Sequence, residues 1–135
     1  MRPRAHFILY VSDQERATEF YRVTLAVAPR LHVPGMTEFD IPPGGNGEAV
    51  LGLMPVAGIR RLLGDAWPSG TIGCDERCAP KAEVYLYVPD PATFHGRALA
   101  SGARELSSLA LRDWGDRVAY SLDLDGHVLA FASGA

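Results

Sequence analysis

Residues 5–13 read AHFILYVSD and residues 82–90 read AEVYLYVPD. The two stretches are nearly one strand written twice, at a constant offset of 77 residues from His6 to Glu83 and from Tyr10 to Tyr87. Such self-similarity marks a duplicated unit, each copy a supersecondary module of about half the chain. Each copy also ends in a polar residue that opens a helix, Ser12-Asp13 in the first and Asp90-Pro91 in the second.

Working outward from the first copy, HFILYV (6–11) is a strand, and Ser12-Asp13-Gln14-Glu15 has the Ser-x-x-Glu form of a capping box. Ala17, Phe20, Tyr21 and Leu25 recur at helical spacing, which predicts a helix over about 13–26. Pro29 and Pro34-Gly35 break the chain, MTEFDI (36–41) and EAVLGLM (48–54) read as strands, and PPGGNG (42–47) is a turn. The second copy follows the same course. VYLYV (84–88) is a strand, Asp90 caps a helix with Pro91 in its first position, and Gly102 ends it. RELSSLAL (104–111), RVAYSL (117–122) and HVLAFA (127–132) are strands, the last two joined around Asp125-Gly126, a strong hairpin signal.

The order β-α-β-β-β, repeated, predicts an α+β fold: two βαβββ modules forming a curved mixed sheet around a concave cleft, with helices outside. The 135 residues form one domain, with modules at about 5–54 and 82–132 and a connector at about 55–81. VAGIRRLLG in the connector is expected to form one or two helical turns, and the rest to be irregular.

A net charge of −3 speaks against nucleic acid, whose binders carry a basic stripe. No apolar run approaches a membrane span, and FILYV is too short for the apolar core of a signal peptide, so a cytoplasmic protein is expected. Cys74 and Cys78 lie in CDERC without a second metal-type pair. They read as free thiols in a loop, a local disulfide or metal clip being the alternatives.

Side chains alternate along a strand. Phe7, Leu9 and Val11, like Val84, Leu86 and Val88, suit the side under a helix. His6, Ile8 and Tyr10, like Glu83, Tyr85 and Tyr87, are mixed sets that suit a small-molecule cleft. The last strands of the modules align at an offset of 78, which makes Gly52 and Ala130 twins. With Val50, Met54, Val128 and Trp114 they complete the expected lining. His95 falls on the second helix, where exposure is expected, and His127 follows a tight turn.

The repeat, the L-Y-V-x-D junctions and the ending DWGDRVAYSLDLDGHVLAFA together resemble the vicinal-oxygen-chelate superfamily, the glyoxalase, bleomycin-resistance and extradiol-dioxygenase group. Leu124 stands where proline is usual in that ending. The resemblance implies a divalent metal in the cleft, held in glyoxalase I by four residues. Their places here are His6, Gly52, Glu83 and Ala130. Only His6 and Glu83 have donor side chains, and a catalytic zinc normally has three protein ligands. Glu38, Asp40 and Glu48 lie on nearby strands or their ends, and His32 and His127 are spare imidazoles, but the sequence places none of them within reach.

Three functions follow. The first is a glyoxalase/bleomycin-resistance-like binder of a small, partly apolar molecule, without the complete metal site and with no cofactor. The second is a metal-dependent lyase, isomerase or dioxygenase-type enzyme, in which His6 and Glu83 share a metal or act as an acid–base pair. The third is a scaffold acting through protein contacts. A homodimer is expected from the resemblance, with neither nucleic acid nor membrane as partner.

Overall fold

The computed structural model describes residues 3–68 and 79–134. Cys74 and Cys78 lie outside the described residues. The first module runs β1 (Ala5–Val11), α1 (Gln14–Leu25), β2 (Leu31–Val33), β3 (Met36–Asp40) and β4 (Ala49–Pro55). The helix α2 (Val56–Leu63) and a single 3₁₀ turn follow. The second module runs β5 (Glu83–Tyr87), α3 (Pro91–Ala100), β6 (Arg104–Leu111), β7 (Arg117–Leu122) and β8 (Val128–Ser133). Each module is a four-stranded mixed sheet, ordered β1-β4-β3-β2 and β5-β8-β7-β6. The first strand of each lies at an edge, parallel to the last strand of its own module.

Two local readings change. The βαβββ order calls for a strand that the sequence does not place in the first copy: it is the short β2, because Pro29 and Pro34-Gly35 bracket only a few residues. It folds back on β3 through Gly35, whose φ of +97° suits a residue without a Cβ. The cap of α1 is Asp13 rather than Ser12: the Asp13 carboxylate accepts from Arg16 N at 3.1 Å. Ser12 N instead donates to Asp125 Oδ1 at 2.9 Å, in the other module. Asp13→Ala should therefore cost about 1 kcal/mol in urea unfolding, the usual worth of a side-chain cap. A loss on Ser12→Ala but not on Asp13→Ala would contradict this placement.

One core serves both modules. Phe20, Tyr21 and Leu25 of α1 pack with Phe39, Leu51 and Leu53 of the first sheet, and the same cluster takes in Leu86, Leu129 and Phe131 of the second. Polar ties reinforce it: Tyr21 OH donates to Asp123 Oδ2 at 2.5 Å, and Arg97 Nε to Thr24 O at 3.1 Å. Burying a Phe or Leu is worth about 1.5–3 kcal/mol each, so this shared layer dominates the joining of the modules. Phe7 departs from the expectation for its face and is 59% exposed. Its strand pairs on one side only, and its free side borders a gap instead of a neighbouring strand.

Candidate functional site: two unlike sheet faces and the gap between them

Register fixes which side chains share the face away from the core. In the first module His6, Val50 and Asp40 form one row, and Ile8, Gly52 and Glu38 the next. In the second, Glu83, Val128 and Leu122 form one row, and Tyr85, Ala130 and Tyr120 the next. These are the faces expected to line a cleft, and all the predicted lining residues on strands lie on them.

The first face is an ion-pair network. His6 Nδ1 lies 3.5 Å from Glu38 Oε2. Arg30 reaches both carboxylates, with Nη1 3.8 Å from Glu38 and Nε 3.6 Å from Asp40. Glu38 is the residue whose importance the sequence reading missed, although the alternation Met36, Glu38, Asp40 put it on this face. Gly52 does not open space. A Cβ there would meet Ile8 Cγ1 at 3.1 Å and Met36 Sδ at 3.2 Å, so neighbours already fill its place. At the rim, Tyr10 meets Trp67 edge to face, with ring centroids 5.7 Å apart. Trp67, in the connector, was also not foreseen.

The second face is aromatic. Ala130 and Ala132 of β8 are fully buried with Val118, and Tyr85 and Tyr120 pack against this small cluster. The small residues of β8 leave room for the β5 tyrosines to reach across to the loop before β7. There Asp116 Oδ2 accepts from Tyr85 OH at 2.6 Å and from Tyr87 OH at 2.7 Å. Trp114 Nε1 donates to Tyr85 OH at 3.1 Å. The hydrogen bonds from Tyr85 and Tyr87 hold the Asp116 carboxyl below its ordinary range. Partial burial and the bond to Asp116 push the Tyr85 phenol up to about 12, so it stays a donor at neutral pH.

Between β1 and β5 lies a mostly apolar cavity of about 580 Å³. Phe7, Ile8 and Leu9 form one wall and Glu83 to Leu86 the other, with Lys81 and His127 also on its lining. His6 and Glu83, twins in sequence, are not brought together: His6 pairs with Glu38, and Glu83 has no hydrogen bond or ion pair among the described residues. Its charge reaches Tyr120, whose phenol is raised first by burial and then by Glu83.

No protein-family model and no curated protein sequence matches the chain. Solved structures do. A glyoxalase-related enzyme from Fulvimarina pelagi superposes with a TM-score of 0.75 at 22% identity, over 99% of this chain and 89% of that one. A glyoxalase/bleomycin resistance protein/dioxygenase family enzyme from Burkholderia phytofirmans PsJN gives a TM-score of 0.77 at 16% identity, over 96% and 97%. TioX from Micromonospora sp. ML1 gives 0.64 at 19% identity, over 99% and 100%. The chain has the glyoxalase/bleomycin resistance/dioxygenase fold.

On this glyoxalase-type scaffold, the four positions that the resemblance assigns to a metal do not fit one. Gly52 and Ala130 offer no donor atom, and their places are occupied by Ile8 with Met36 and by Tyr85 with Tyr120. Among the described residues, no three His, Cys, Asp or Glu side chains converge closely enough to hold an ion.

The remaining histidines have structural partners. His127 Nδ1 lies 2.8 Å from Asp123 Oδ2 at the head of the β7–β8 hairpin. Burial alone would lower its pKa, but the Asp123 carboxylate outweighs burial and raises it. His95 corrects the expectation of exposure. It is 6% exposed and bonds Glu105 at 2.9 Å, because Pro91, His95 and Ala98 share the buried side of α3. His32 bonds Thr37 Oγ1 at 2.8 Å on the helix side of the first sheet.

Proposed function

We propose that the chain is a glyoxalase/bleomycin-resistance-like binding protein. It holds a small, partly apolar molecule against the faces lined by Ile8, Tyr10, Met54, Tyr85, Tyr87 and Trp114, without the metal site of the glyoxalase I type. The observation that carries this reading is the double filling at Gly52 and Ala130: side chains occupy the places where two metal ligands would have to stand. The enzyme alternative needs His6 and Glu83 to act on one substrate or one metal, and the pairing of His6 with Glu38 works against it. The same reading takes the chain as a cytoplasmic homodimer with neither nucleic acid nor membrane as partner.

Metal analysis of the purified protein tests the proposal, followed by thermal unfolding with small aromatic compounds. The expected result is no stoichiometric divalent metal and a melting temperature that rises with ligand concentration, as linkage requires of anything that binds only the folded state. One bound metal per chain, lost on Glu83→Ala, would overturn it.

A further inference from the structure

We propose that Asp116, with the rings of Tyr85, Tyr87 and Trp114 around it, is a receptor for a positively charged nitrogen, an alkylammonium or quaternary ammonium group, on the bound molecule. The inference rests on the binding function proposed above and names the chemical class of its ligand.

The charge is the first argument. Asp116 forms no ion pair with any Lys, Arg or His among the described residues. The nearby Arg112 is committed elsewhere: its guanidinium donates to Ser107 Oγ at 3.0 Å and to Val118 O at 2.8 Å, and it stands over the Tyr120 ring. Both phenols are neutral donors, so among the described residues the negative charge of the cluster has no cationic partner. Glu83, on the same face and also without an ion pair among the described residues, adds to the negative field.

The rings are the second argument. Tyr87 and Trp114 are 59% and 57% exposed. Large aromatic side chains left open side by side form a patch of the kind that marks a ligand-binding surface. The Tyr85 and Tyr87 rings stand edge to face, 5.5 Å apart and inclined at 67°, which makes a corner rather than a flat patch. Their polar tips are spent on Asp116, directly or through Tyr85, so the cluster is held in place before any ligand arrives. The face of an aromatic ring carries the negative side of its quadrupole. A cation beside several such faces gains attraction from each, and methylated ammonium groups suit rings better than strongly hydrated ions do. A role confined to pinning the 112–116 loop would account for the hydrogen bonds but not for two rings left open to solvent beside a carboxylate that has no ion pair among the described residues.

Calorimetric titration of the full chain with benzyltrimethylammonium, and with benzyl alcohol as the neutral aromatic control, tests the proposal. The cation should bind at least about tenfold more tightly than the alcohol, the scale of a partly desolvated cation–π contact added to a carboxylate. Asp116→Asn keeps an acceptor for the phenols and removes the charge. It should abolish most of that preference by weakening the cation far more than benzyl alcohol, in a variant that still unfolds cooperatively. Trp114→Ala should weaken the cation more than the alcohol. Equal affinity for the two probes, no binding of the cation, or a cation preference that survives Asp116→Asn would each overturn the inference. Equal binding of both probes would still leave the metal-free binding function standing. A stoichiometric metal would remove that function without touching the cation preference.

Discussion

Asp123→Ala is expected to lower the stability by about 3 kcal/mol, because removing one partner of a buried hydrogen-bonded pair strands the others. In a chain of this size that is a fall of roughly 10 °C in melting temperature. Asp123 is 8% exposed and accepts four hydrogen bonds. Oδ1 takes Asp125 N at 2.9 Å and His127 N at 2.8 Å; Oδ2 takes Tyr21 OH at 2.5 Å and His127 Nδ1 at 2.8 Å. The alanine variant leaves the Tyr21 hydroxyl buried without an acceptor and frees the hairpin that ties the two modules.

The loss should depend on pH. Burial alone would raise the Asp123 pKa, but the bonds from His127 and Tyr21 outweigh it and hold the pKa below the ordinary value of 3.8. Its stabilisation is therefore present above about pH 4 and disappears as the pH falls through the lowered folded value. The His127 pKa is raised, so its share is complete below about pH 6.5 and disappears as the pH climbs through the raised folded value. The difference between wild type and variant should peak between about pH 4 and 6.5 and narrow on either side. Urea unfolding across the pH range measures it; a flat difference, or a loss under about 1 kcal/mol, would contradict the role given to this turn.

Ala130→Glu is expected to cost about as much, by a different route. The position is fully buried beneath Tyr85 and Tyr120. A carboxylate there is desolvated without a partner and forces Tyr85 aside, a penalty of about 3 kcal/mol from burial and overpacking together. Tyr85 would leave Asp116 and Trp114, so the emission of Trp114 should change with the stability. The twin substitution Gly52→Glu meets Ile8 Cγ1 and the Met36 sulfur, of which the flexible Met36 end can give way, and should cost less. A stable Ala130→Glu variant that takes up one divalent metal per chain would reverse the argument that the site is filled.

Much of the fold was legible because a duplicated strand carries its own control: AHFILYVSD and AEVYLYVPD read alike, so each supports the reading of the other. The helices and seven of the eight strands follow from spacing and turn residues to within a residue or two at their ends. Strands β1, β3, β4, β5 and β8 differ from the reading by one residue at one or both ends, and β2 is too short to carry a pattern. The cleft-facing rows follow from alternation. What failed was contact between strands. His6 meets Glu38 across β4, and no spacing along the chain sets the order β1-β4-β3. Phe7 has the pattern of a core residue but lies on an edge, and edges belong to the sheet order. The spacing of Pro91, His95 and Ala98 did carry the burial of His95; the assumption that a histidine on a helix faces water hid it. Gly52 and Ala130 were placed on the lining by alignment, but residue size alone does not tell which neighbour leans over a small side chain.

The duplication has also diverged in its surfaces. Two identical halves would present the same wall twice, and a molecule lying between them could sit either way round at equal free energy. Here one wall is the His6–Glu38–Arg30–Asp40 network and the other is built of phenols, an indole and Asp116. A molecule touching both has a single best orientation, so the loss of symmetry is itself a source of selectivity for ligands with two different ends.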